Sequence, residues 1–142
     1  MPYAARGLVF TNTAESVHRA RSLVRTILVG WDYGDDVIES ALVIASELAT
    51  NAVTHALNTP RFRLICYTEA NLLTIGVIDE DKREPIKSDA ADHDEHGRGL
   101  RVVEALADEW GWEPCEQGKI VYGRLHVSTP LQADISKPLC FT

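Results

Sequence analysis

The chain has 142 residues, 45% hydrophobic and 25% charged, with a formal net charge of −7. This length is expected to form one domain with a single core that buries roughly two thirds of its unfolded surface, and no segment reads as a bilayer span or a signal peptide, so the expected location is the cytoplasm. The acidic balance argues against direct nucleic-acid binding but leaves room for a small phosphorylated ligand held by backbone N–H groups and a divalent cation.

Residues 7–11, GLVFT, read as a short strand. Asn12 then follows as a helix N-cap, with Glu15 in the place of a capping-box acid. The first helix is predicted over 13–29, with Val17, Ala20, Leu23, Val24, Ile27 and Leu28 at helical spacing, Arg19, Arg21 and Arg25 toward water, and Gly30 as its stop. After the connection GWDYGDD, a second helix is predicted over 35–57, opened by Asp35 and Asp36 at the positive end of its dipole and closed by Asn58 and Pro60.

That second helix carries both a core face and a chemical face. At about 100° per residue, Ile38, Leu42, Ala45, Ala49, Ala52, Val53 and Ala56 fall on one side, and Glu47, Asn51 and Thr54 on the other. A carboxylate and a carboxamide four residues apart stand one above the other, so their oxygens can converge on one ligand, such as a metal ion and a water. On an arbitrary amphipathic helix the same pair merely keeps the outer face soluble.

RFRLICYTE and LLTIGVID follow as adjacent antiparallel strands joined at Ala70 and Asn71, and the second delivers the carboxylate of Asp79 to the sheet edge. Residues 80–96 are polar, contain Pro85 and have no apolar period, which suits a functional lid or a disordered loop. Gly97, Arg98, Gly99 and Leu100 then open a third helix, where a glycine pair lets the backbone approach an anion such as phosphate. DEWGWEP and GKIVYGRLHV form a hairpin turning near Gln117 and Gly118, and the tail 128–142 has no period. Trp31, Trp110 and Trp112 read as core, with a partner surface as the alternative for the last two. Cys66, Cys115 and Cys140, odd in number and widely spaced, read as free thiols. His93 and His96 sit among acids but read as solvated rather than as metal ligands. The element order, with strands joined by tight turns, predicts an α+β fold: a two-layer sandwich with helices on one face of an antiparallel or mixed sheet.

Taken together, ELATNAVTHA (47–56), VIDEDKREP (77–85), GRGL (97–100) and the closing ADEWGWEP…GKIVYGRL resemble the GHKL ATP-binding superfamily. Within it, they resemble the small single-domain anti-sigma-factor serine kinases of actinobacterial type. The resemblance covers about 7–127 of a single domain spanning 1–142, leaves 128–142 as a C-terminal extension, and is most specific in the first motif. It implies a Bergerat-type ATP-binding fold with a mixed, mostly antiparallel sheet. It further implies ATP and Mg²⁺ as cofactors, Asn51 as the Mg²⁺ ligand, Glu47 as general base, Asp79 as acceptor of the adenine amino group, and a lid closing at Gly97, Gly99 and Leu100 with Arg98 as a further phosphate contact. The implied partners are a sigma factor and a STAS-type anti-anti-sigma protein that receives the phosphoryl group, and the implied assembly is a homodimer through the first strand and helix, with no direct nucleic acid and no membrane.

The sequence also departs from the superfamily. Asp81 and Arg83 hold positions where the broader pattern has glycine, Ile120 stands where a threonine near the adenine is expected, and the lid is strongly acidic. These departures support an alternative, a non-catalytic binding module of the same fold with weak or lost nucleotide binding. A histidine kinase catalytic domain is disfavoured, because no dimerisation helix pair bearing a phosphoacceptor histidine precedes the motifs and His18 reads as a surface residue.

Overall fold

The computed structural model describes residues 4–55, 59–81 and 95–128. In chain order the elements are β1 (Ala4–Thr11), α1 (Ala14–Gly30), α2 (Asp35–His55), β2 (Arg61–Glu69), β3 (Leu72–Asp79), α3 (Glu95–Leu106), β4 (Glu109–Cys115) and β5 (Gly118–His126). The strands form one five-stranded sheet in the order β1-β2-β3-β5-β4. Every pairing in it is antiparallel, so the mixed sheet is realised among the described residues in its wholly antiparallel form. Tight turns dictate this, because β2–β3 and β4–β5 are hairpins closed by Ala70 and Asn71 and by Glu116 and Gln117. β5 returns between β3 and β4, which makes β3 the central strand and sets its last residue, Asp79, opposite Lys119.

The helices cover one face of the sheet. Phe62, Leu64 and Cys66 on β2, Leu73, Ile75 and Val77 on β3, and Val121 and Leu125 on β5 alternate onto that face and are buried. Phe10 and Phe62 stack across β1 and β2 with ring centroids 5.5 Å apart. On the opposite face Gly76 lacks a side chain where Ile120 and Ile65 close over it, at 3.1 and 3.2 Å from the position of a Cβ. Arg124, also on that face, lies 4.2 Å from the centre of the Tyr122 ring and donates to Thr74 Oγ1 at 3.2 Å.

α1 starts one residue later than its sequence suggests. Thr13 is the N-cap, with its Oγ1 accepting from Ser16 N at 3.3 Å. Asn12 is drawn away because β1 runs up to Thr11, so its backbone N–H bonds Pro60 O at 3.0 Å and its side-chain amide bonds Thr59 O at 3.0 Å. Glu15 pairs with Arg19 at 3.2 Å on the surface instead of closing a capping box. At the other end Gly30 is still helical, and the chain leaves the helix at Asp32, whose φ of 61° is left-handed. Tyr33 N bonds Leu28 O at 3.2 Å and Asp32 N bonds Val29 O at 3.1 Å, the paired bonds of a Schellman motif with aspartate in the glycine position.

α2 is the core helix of the domain. It packs on α1, on α3 and on β2, β3 and β5, so its buried set is wider than one stripe and includes Ala41, Ile44 and Leu48 as well as Ile38, Leu42, Ala45, Ala49 and Ala52. Each fully buried leucine or isoleucine contributes about 1.5–3 kcal/mol relative to exposure. By length and apolar content alone α2 matches a membrane span, contrary to the reading that no segment does, but half of that window is packed inside the domain. Trp31 is buried, and Trp110 and Trp112 are half-buried and packed against the same core. Cys66 is buried, and burial pushes its thiol up to about 12, so it is inert; Cys115 is a second free thiol, and Cys140 lies outside the described residues.

Candidate functional site

The candidate residues sit on three elements that meet at α2. Glu47 and Asn51 lie on α2, Asp79 ends β3 beneath it, and residues 97–100 lie on α3, which packs along α2. The helical spacing of the first pair is observed, but its environment differs from a solvated outer face. Asn51 is buried at 8% exposure, and Glu47 and Thr54 are half-buried. Three neighbouring layers leave α2 little free surface at this turn.

Asn51 Oδ1 is buried and has no hydrogen-bond partner among the described residues. Leaving a buried amide oxygen unpaired costs about 1–3 kcal/mol, and a native site keeps such a group mainly for an ion, a water or a ligand. A carboxamide oxygen is a hard ligand of the type Mg²⁺ takes, so this atom fits the cation that the sequence motif implies. Among the described residues no group of three or more His, Cys, Asp or Glu side chains could hold a metal ion. His93 lies outside the described residues. Desolvation raises the pKa of Glu47 above the ordinary carboxylate value, which strengthens it as a proton acceptor.

Asp79 is 4% exposed, on the helix-facing side of β3 in phase with Leu73, Ile75 and Val77. Its Oδ1 accepts from Asp81 N at 2.9 Å and from Lys119 Nζ at 3.1 Å. Lys119 Nζ also donates to Asp81 O at 2.7 Å. Burial raises the Asp79 pKa, and the Lys119 ammonium and the Asp81 N–H act against it. The neighbouring Glu80 turns outward and accepts from Arg61 Nε at 3.1 Å.

Lys119 is the site residue that the sequence reading missed, and it corrects the place given to Ile120. Ile120 pairs with Ile78 and projects with Gly76 to the opposite face, whereas Lys119 shares the helix-facing side with Val121 and Leu125. The alternation of β5 carried the signal: a lysine in phase with inward apolar residues needs a buried anion on the next strand, and β3 ends in one.

α3 begins at Glu95, so Gly97, Arg98 and Gly99 lie inside its first turns rather than ahead of it. Leu100 is fully buried and anchors that end of the helix, so only its backbone can face a ligand. Of the lid, Glu80 and Asp81 are described, and Arg83 with the rest of 82–94 lies outside the described residues.

The comparisons with known proteins agree with this architecture. The family described as histidine kinase-like ATPase domain matches residues 10–123, and the chain belongs to it. This agrees with the GHKL resemblance drawn from the motifs. Among solved structures, the RsbU and RsbW domains of Rv1364c from Mycobacterium tuberculosis align with a TM-score of 0.68 and 19% identity over 89% of this chain, which shows a shared fold. The chain spans 33% of the length of that one. No curated protein matches the sequence closely enough to be counted.

Proposed function

We propose that the protein is an ATP-binding regulator of the anti-sigma type: a cytoplasmic serine/threonine protein kinase that phosphorylates a STAS-type anti-anti-sigma protein and sequesters a sigma factor. The observation that carries the reading is the buried Oδ1 of Asn51, without a hydrogen-bond partner among the described residues, one turn beyond the half-buried Glu47 on the core helix. Family membership and a fold shared with a structure whose description includes an RsbW domain support it.

In this reading Asp79 would accept the adenine amino group, and Asn51 Oδ1 would hold a Mg²⁺ ion, which when bound supplies charge neutralisation at the phosphates. Gly97 and Gly99, with the backbone of Leu100, face the phosphates at the start of α3, and Arg98 adds a contact. Glu47 takes the proton from the attacking hydroxyl as the new P–O bond forms and ADP departs. Phosphoryl transfer is largely positioning and charge neutralisation, so one base, one ligand oxygen and a backbone cradle suffice. The edge strand β1 exposes Leu8 and Val9 and would carry the homodimer contact.

A second reading, a binding module with little nucleotide, is favoured by the two donors already on Asp79 Oδ1. Calorimetric titration with Mg-ATP separates the two. Binding that disappears in Asp79→Ala, together with Glu47→Ala that binds ATP but transfers nothing to a STAS-type acceptor, is the expected result. A folded wild-type protein that binds no Mg-ATP at millimolar concentration excludes the kinase and leaves the module.

A further inference from the structure

We propose that Lys119 is a base-reading residue: with Asp79 it forms a donor–acceptor pair that recognises the adjacent amino group and N1 of adenine. The proposal rests on the nucleotide reading above and assigns specificity within that site to a side chain to which the sequence motifs give no role.

The pair is buried, with side-chain exposures of 7% for Lys119 and 5% for Asp79. A buried ion pair is a poor device for stability, because well-packed apolar residues in its place are often neutral or better. A functional use is therefore worth seeking in the valences it leaves over. An ammonium has three protons, and Lys119 spends two, on Asp79 Oδ1 and Asp81 O. Asp79 spends Oδ1 on two donors, and Oδ2 has no partner among the described residues. One ammonium proton and one carboxylate oxygen of the pair thus remain without a partner among the described residues.

That residue pair complements adenine, which presents an N–H donor on its amino group beside the acceptor N1. Guanine suits it poorly. A carboxylate reads guanine by accepting from N1–H and the amino group with both oxygens, and here Oδ1 is already filled. The lysine is held in place by the backbone: Gly118 is pressed against the carbonyl of Asp79, and a Cβ there would stand 2.6 Å from Glu80 C, so only glycine brings Lys119 onto the end of β3. A charged donor to N1 makes a stronger bond than a hydroxyl or a water would.

The test compares ATP with 1-deazaadenosine triphosphate, in which C–H replaces N1, by calorimetry on wild type and Lys119→Met. Wild type is expected to bind ATP at least about tenfold more tightly than the analogue, the range of one hydrogen bond to a charged group. In Lys119→Met the two nucleotides should bind alike. A wild-type ratio near one, or a ratio unchanged in the variant, overturns the proposal while leaving the nucleotide site standing, because ATP still binds. Absence of binding to wild type by either nucleotide overturns both. If the variant fails to fold, the wild-type ratio still decides N1 recognition, and the ¹⁵N resonance of the Lys119 ammonium assigns it: it should shift with ATP and not with the analogue, and an equal shift with both overturns the assignment.

Discussion

Gly118 lies in contact with the carbonyl oxygen of Asp79, with a φ of +152°, so the last residue of one hairpin strand is fitted to the first residue of another. A Cβ at Gly118 would stand 2.6 and 2.7 Å from Glu80 C and Cα, backbone atoms that cannot swing aside. Gly118→Ala is therefore expected to destabilise the fold by about 2–4 kcal/mol, combining left-handed backbone strain with the forced separation of β3 and β5. The same separation moves Lys119 off Asp79, so nucleotide affinity should fall in any fraction that folds. Chemical denaturation checks the first effect and calorimetry the second. A loss under about 0.5 kcal/mol would show that the two strand ends slide apart freely.

A left-handed aspartate closes α1, and glycine relieves it. Asp32 holds φ 61° to complete the Schellman bonds from Tyr33 and Asp32 to Leu28 and Val29. The left-handed region disfavours residues with a Cβ, so Asp32→Gly is expected to stabilise the protein by up to about 1 kcal/mol. Gly30→Ala should add a similar gain, because Gly30 is helical and a Cβ there meets nothing within 4 Å. Thermal denaturation of the single and double variants checks both. A loss at Asp32→Gly would mean that the aspartate side chain holds the connection to α2.

The same positions show why the sequence disclosed some features and hid others. Helical and strand periods are local, so α1, α2, the β2–β3 hairpin and the inward phase of Asp79 were legible, as was the pairing of Glu47 with Asn51. The end of α1 was misread because glycine usually marks a stop, whereas here the left-handed turn falls two residues later on an aspartate. The N-cap moved from Asn12 to Thr13 because hydrogen bonds to Thr59 and Pro60, far along the chain, outbid the local capping box. Burial of Asn51 depends on α1, α3 and the sheet converging on one helix, which no single-helix wheel contains. Lys119 was hidden for a related reason: its partner is 40 positions earlier, and register decides which of Lys119 and Ile120 faces it.

Glu47 links acid sensitivity to activity. Its folded pKa lies above the ordinary 4.5, because burial disfavours the charged form. The stability it contributes is therefore complete below the unfolded value and lost as pH rises through the folded value. Glu47→Gln, neutral at every pH, should be slightly more stable than wild type at pH 7, by under about 1 kcal/mol because the group stays partly solvated. The advantage should vanish near pH 4. Phosphotransfer should respond in the opposite sense, falling in wild type as pH drops through the raised pKa and falling by about 10²–10⁴ in Glu47→Gln at pH 7. Melting temperatures and transfer rates across pH 4–8 measure both, and a stability advantage that grows toward acid would contradict the assigned burial effect.

Asn51 poses the sharpest conflict between stability and function. Its Oδ1 is buried without a partner among the described residues, a penalty of about 1–3 kcal/mol that a bound cation would remove. Asn51→Leu keeps the volume and discards the polar atoms, so the apo protein should be unchanged or stabilised by about 1 kcal/mol. Mg-ATP should then bind at least about tenfold more weakly, with the Mg²⁺ dependence gone and ATP without metal affected little. Thermal denaturation and calorimetry with and without Mg²⁺ separate these effects. If the variant loses more than about 2 kcal/mol in the absence of ligand, Asn51 is a structural hydrogen-bonding residue of the core. If stability holds and the Mg²⁺ dependence persists, the cation is held elsewhere and α2 supplies only the base.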